Sequence, residues 1–264
     1  MFKACEFQFD GKSSNDFNLK IVKFSSRNSG GAELIGIPLE IEEARIRNNP
    51  KPFFYGVQVG DKLKFTIQVA YLPENGLVAS ENLLTQHTAG AISKWLFKKK
   101  YAEFKIIDTD YSNIVYNVIF QNPRRIEVGN APYGFEIDVV CDRPYGYRKQ
   151  SISYNVSGSL TFNLKNLGYI NEDIKPEIEF TTSGSTMSVR NNTDNNNNFQ
   201  FTGLTSGETV YVNNEREEIV SSLGLNRNQN FNFNWFKIVP DYYNNITITG
   251  TGTVTFRIEF PMPF

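Results

Sequence analysis

Apolar residues recur at every second position along much of this chain, and the runs stop at glycine, proline, asparagine or aspartate. Leu63, Phe65, Ile67 and Val69 alternate with Lys64, Thr66 and Gln68, the pattern of a strand with one face in a core. Phe7 and Phe9 open a strand that enters a tight turn at Asp10-Gly11, and a second strand is expected over residues 19–24. Residues 39–47, 103–107, 114–120 and 133–141 repeat the pattern. One segment departs from it: Leu84, Thr88, Ala91, Ile92, Trp95 and Leu96 fall at helical spacing, which predicts a single helix near residues 84–97.

Tyr133, Phe135, Ile137, Val139 and Cys141 share one face, Asp142-Arg143-Pro144 interrupts, and Ile152, Tyr154 and Val156 begin a new alternation. This places a domain boundary near residue 146, with one domain over 1–145 and another over 146–264. Beyond the boundary, alternation at 160–164, 174–180, 209–212, 246–249 and 254–260 gives about eight short strands, the signature of a sandwich or jelly roll. The asparagine-rich stretch 191–198 reads as a mobile hairpin loop. The loop from Ser25 to Pro38 is long for a compact domain and reads as an interaction arm, with Asn28, Leu34 and Ile37 as candidates.

Composition sharpens this picture. Twenty-two Phe and 13 Tyr in 264 residues favour strands, and the length suffices for two modest domains. A formal net charge of −1, divided evenly along the chain, argues against a nucleic-acid binder. Lys98-Lys99-Lys100 follows the helical pattern, as a solvated helix end or an anion site. Cys5 and Cys141 lack metal or redox spacing and read as buried thiols. The first residues alternate rather than forming a signal core, and no apolar run approaches a membrane span. We expect a chain made in a cytoplasm, with no membrane partner and no cofactor.

Candidate chemistry is sparse. His87 stands alone on the predicted helix, too little for the usual histidine metal sites or a triad. The carboxylate clusters Glu42-Glu43, Glu172-Asp173 and Glu215–Glu218 read as solvated turns, with a glycosidase centred on Glu217 as the catalytic alternative. Asp194 lacks the spacing of a calcium loop. Phe231, Phe233, Trp235 and Phe236 lie among asparagines, and Tyr242-Tyr243 precede two more. They either fill a core or, at Trp235, Tyr242 and Tyr243, stack a sugar, which would make the chain a carbohydrate-binding module protein recognising a host surface glycan.

Several motifs together carry a family resemblance. The opening Phe7-Gln8-Phe9-Asp10-Gly11 with Asp16-Phe17 and Leu19, the run Pro52–Val57 before Leu63-Lys64-Phe65, Ile92–Phe97, and Cys141-Asp142-Arg143-Pro144-Tyr145 resemble the distal tail proteins of siphophages infecting Gram-positive bacteria. Beyond the boundary, Asn166-Leu167-Gly168 and Gly207–Val212 are similar to that family's galectin-like domain, with Asn213-Asn214 and Pro240-Asp241 as departures. The resemblance implies a mainly β chain: an N-terminal tail-tube-like β-sandwich with one helix, then a C-terminal galectin-like jelly-roll sandwich. It implies a non-enzymatic structural virion protein at the phage tail tip. There the first domains form a homo-hexameric ring, and the partners are the tail tube protein, a tail-associated hub or lysin protein, and receptor-binding or baseplate proteins. DNA would pass through such a ring without specific binding.

Overall fold

The computed structural model describes residues 6–22, 39–47, 49–73, 84–107, 113–128 and 131–262. The candidate arm residues Asn28, Leu34 and Ile37, and Cys5, lie outside them. The chain divides into two compact units, within Met1–Gly146 and Tyr147–Met262.

Unit 1 contains β1 (Glu6–Phe9), β2 (Lys12–Ser13), β3 (Leu19–Val22), β4 (Leu39–Ala44), β5 (Phe53–Val59), β6 (Lys64–Tyr71), α1 (Gln86–Leu96), β7 (Ala102–Ile107), β8 (Tyr116–Val128) and β9 (Ala131–Cys141). Seven of these strands form one sheet in the order β2-β1-β7-β8-β9-β6-β3, while among the described residues β4 and β5 pair only with each other. Asp10 and Gly11 adopt positive φ, 48° and 75°, which turns β1 back into β2 with the strands' own twist. Alternation then puts Phe7, Phe9, Phe104, Val118, Ile137 and Val139 on the buried face.

The helix lies on that face. Its N-cap Thr85 accepts a hydrogen bond from the Thr88 amide, and Ile92, Trp95 and Leu96 are its buried stripe. The Trp95 ring stacks on Phe17 at 4.3 Å and its indole N–H donates to the Phe9 carbonyl at 3.0 Å, tying helix to strand across 86 residues of chain. Lys98 pairs with Asp10 in the β1–β2 turn, so the first residue of the basic run holds a structural ion pair.

Unit 2 comprises β10 (Gly146–Lys165), β11 (Glu177–Asn191), β12 (Asn197–Phe201), β13 (Thr209–Asn213), β14 (Glu218–Ser221) and β15 (Tyr243–Met262). The order is β10-β15-β11-β13-β14, with β12 also on β11. The expectation of about eight short strands is corrected here. Pairs of expected strands are halves of β10 and β15, each 20 residues long. Gly158, Gly250 and Gly252, at φ 93°, 142° and 149°, bend these strands instead of ending them, and a register shift between Thr182 and Met187 bends β11. Tyr154 and Phe162, eight residues apart on β10, stack at 4.1 Å, where a straight strand would separate them by about 26 Å. One sheet is thus creased over its own core of Phe180, Phe199, Phe201, Phe236, Phe256 and Phe260, all fully buried.

Asparagine side chains close this core. Residues between the short 3-10 turn Asn228–Asn230 and β15 form only isolated bridges, so their backbone groups need other partners. Asn214 donates to the Pro176 carbonyl at 2.6 Å and accepts from the Phe236 amide at 2.8 Å. Asn244 accepts from the Val239 amide and donates to the Val239 carbonyl, and Asn191 donates to the Lys237 carbonyl and to Asn244. The stretch expected as a mobile loop is therefore a pinned turn: Asn191 is fully buried and Asn192 donates to Asn245 and Thr247.

Candidate functional site

The ribbon of β4 and β5 is the most conspicuous surface of unit 1. Leu39, Ile41, Phe53, Phe54, Tyr55 and Val57 are all exposed, Tyr55 at 71%. Ile41 opposes Val57, and the register shifts between Glu42 and Glu43. Three consecutive aromatics put apolar rings on both faces, a sign that neither face was meant for water. A two-stranded ribbon is marginal by itself, and edges with no partner among the described residues offer backbone groups for pairing.

By contrast, the polar face of the seven-stranded sheet is self-satisfied. Arg124 lies between Glu136 and Asp138 at 2.8 and 2.7 Å, while Gln68 donates to Glu136 and Asn122 and Thr66 to Asp138. Both carboxyls are held below their ordinary values, Glu136 first by Gln68 and Asp138 first by Asn122, each with Arg124 adding. The charge here is internally paired, one guanidinium held between two carboxylates.

The sequence candidates for catalysis are scattered. His87 is exposed on α1, Glu42 and Glu43 stand on the ribbon, and Glu217 sits at φ 56° in the exposed β13–β14 turn. Cys141 is fully buried, its thiol pushed up to about 12 by burial and then by Asp142. Among the described residues no group of three or more His, Cys, Asp or Glu is placed to hold a metal ion.

The strongest electrostatic feature of unit 2 joins Glu208, inside the Gly207–Val212 motif, to Arg227, which no motif singled out. Glu208 is fully buried, accepting from Arg227 at 2.6 and 2.8 Å, from Ser221 at 2.6 Å and from the Thr205 amide at 3.0 Å. Arg227 also donates to the Gly203 carbonyl and to Asn230. The pair holds the Glu208 carboxyl down to about 2, Arg227 being the main cause, and it locks the β12–β13 loop to the end of β14 and the segment that follows it.

The three candidate sugar-stacking residues do not share one environment. Trp235 is half-buried against the core with its ring 4.8 Å from Phe231, while Tyr242 and Tyr243 are exposed and meet edge to face. Beside Tyr242 stands Lys165, which no sequence motif singled out.

Two family models match this chain in succession: a phage tail protein N-terminal domain over residues 2–143 and a phage tail C-terminal domain over residues 145–258. Among solved structures it is similar to Dit (gp 19.1) of phage SPP1, described as a paradigm of the hub adsorption apparatus in phages that infect Gram-positive bacteria. That match has a TM-score of 0.68 at 13% identity and covers 98% of this chain and 100% of that one. It is also similar to a chain of the phage P2 baseplate in its activated conformation with Ca, with a TM-score of 0.53 at 9% identity, covering 98% of each. No curated protein matches it in sequence. With both domain models matched in order along nearly its whole length, the chain belongs to this family of phage tail proteins, and its fold is that of the Dit hub.

Proposed function

We propose that this chain is a structural ring subunit at the distal end of the phage tail, joining the tail tube to the baseplate. Six copies close through unit 1, and unit 2 serves as the docking hub for host-adhesion proteins. The observation that carries this reading is the β4–β5 ribbon: two strands with apolar side chains on both faces and no other strand to pair with among the described residues. The occupant that suits it is a neighbouring copy, because cyclic closure gives every ribbon an equivalent surface and leaves no edge open. The near-neutral chain and the paired charges around Arg124 support a bore that passes DNA without gripping it. We infer synthesis in the host cytoplasm, and partners drawn from the tail tube, a hub or lysin protein and receptor-binding proteins.

Light scattering behind a sizing column tests the ring. Six 30.1 kDa chains give about 180 kDa. The double variant Ile41→Glu/Phe54→Glu should run as a monomer with an unchanged circular dichroism spectrum. Assembly of that variant like the wild type, or a monomeric wild type, would overturn the reading.

A further inference from the structure

One end of unit 2 carries three exposed tyrosines and a lysine. Tyr169, Tyr242 and Tyr243 are 75%, 58% and 52% exposed. Lys165 Nζ sits 4.7 Å from the Tyr242 ring centroid, and the rings of Tyr242 and Tyr243 lie 4.6 Å apart. The Lys165 pKa is held above its ordinary value by the Tyr242 hydroxyl first, with Tyr243 and Tyr169 adding.

The backbones beneath these rings are fixed before any ligand arrives. Asn166, nearly buried, donates through its amide N–H to the Tyr242 carbonyl at 2.9 Å and through its side chain to the Val239 carbonyl at 3.1 Å, and its Oδ1 accepts from Gly168. Fully buried Asn244 clasps Val239 from the other side and donates to the Asp241 carbonyl. The Tyr169 amide donates to the Pro261 carbonyl at 3.0 Å. Exposed rings on a pinned backbone lose little conformational freedom on binding, which is the condition for a weak ligand to be held.

Each ring carries a hydroxyl at its rim, so the matching ligand has an apolar face bordered by hydrogen-bonding groups. A pyranose has that surface; an aliphatic protein face does not. Lys165 brings a single positive charge to this cluster, one more donor for a sugar hydroxyl or a weakly anionic sugar. We propose that Tyr169, Tyr242, Tyr243 and Lys165 form a saccharide-binding platform on unit 2, distinct from the half-buried Trp235. The platform is built within unit 2 and does not depend on ring closure.

Saturation-transfer NMR on the full chain, with maltohexaose, cellohexaose and chitohexaose as probes, tests the assignment. At least one probe should receive saturation. Tyr242→Ala and Tyr169→Ala should each weaken its binding about tenfold, the loss of one stacking ring, with an unchanged thermal midpoint. Tyr242→Trp, which keeps a stacking face, should retain binding and guards against loss through misfolding. Silence toward all three probes, undiminished binding in the Tyr169→Ala/Tyr242→Ala double variant, or cross-linking of Tyr242 to a tail protein in place of sugar binding would overturn it.

Discussion

Replacing Arg227 with Met isolates the contribution of the buried ion pair in unit 2. The variant keeps an unbranched side chain in place but leaves the Glu208 carboxylate with only the Ser221 hydroxyl and the Thr205 amide. Removing one partner of a buried pair costs about 3–5 kcal/mol, chiefly because the other charge stays desolvated. Titration gives a second figure. The carboxyl falls from its ordinary 4.5 to about 2, and at roughly 1.4 kcal/mol per pKa unit that corresponds to about 3 kcal/mol. Because the folded value is depressed, this stability is fully present above 4.5 and is lost as the pH falls through about 2. Urea unfolding read by hydrogen exchange in the β13 segment Thr209–Asn213 reports unit 2 separately from unit 1. At neutral pH Arg227→Met should lose about 3–5 kcal/mol, and the gap between wild type and Glu208→Gln should narrow on acidification through the same window. A loss below about 1 kcal/mol, or a gap independent of pH, would refute the account of how this pair holds the loops.

Two further substitutions and labels probe other parts of the fold. In Gly252→Ala the new Cβ would lie 2.1 Å from the Thr181 carbonyl oxygen at φ 149°, whereas in Gly158→Ala, at φ 93°, it meets nothing within 4 Å. Calorimetry should find about 3 kcal/mol or more lost in the first and about 1–2 in the second, and equal losses would remove the steric role assigned to the crease. Cys141 should resist iodoacetamide in the native protein and react in urea, as peptide mapping will show, since burial keeps its thiol protonated. Rapid native labelling of that peptide would contradict its placement.

Unit 1 is legible in the sequence wherever one strand face meets a core. Phe7, Phe9, Phe104, Ile137 and Val139 announce themselves by alternation, and Ile92, Trp95 and Leu96 by helical spacing, with Thr85 capping the helix just after the pattern begins at Leu84. Alternation does not say what covers an apolar face: Leu39 and Ile41 repeat the pattern of Ile67 and Val69, yet the first pair is exposed and the second buried. Nor does it say whether a glycine ends a strand or turns it. Gly158, Gly250 and Gly252 read as turns and act as bends, so two long strands look like four short ones. The amides beside Phe231 and Trp235 were equally opaque. Their partners are carbonyls and amides brought close only by the tertiary fold, as with Asn214 and the distant Pro176 carbonyl. The same holds for Lys165, which meets Tyr242 only after β10 and β15 have paired.

The position of β15 between β10 and β11 also sets an order of events during synthesis. Ser153 on β10 meets Thr255 on β15 across 102 residues of chain, and β11 pairs with β15 along nearly its whole length. Both earlier strands therefore leave the ribosome without their shared neighbour and wait for the strand that completes the sheet, a long-range closure of the kind that folds slowly. Unit 1 is under no such delay, since the seven strands of its sheet have all been made by Cys141. A nascent chain can thus present a finished first unit while the second is still open, and a chain stopped short of β15 would carry the first unit alone.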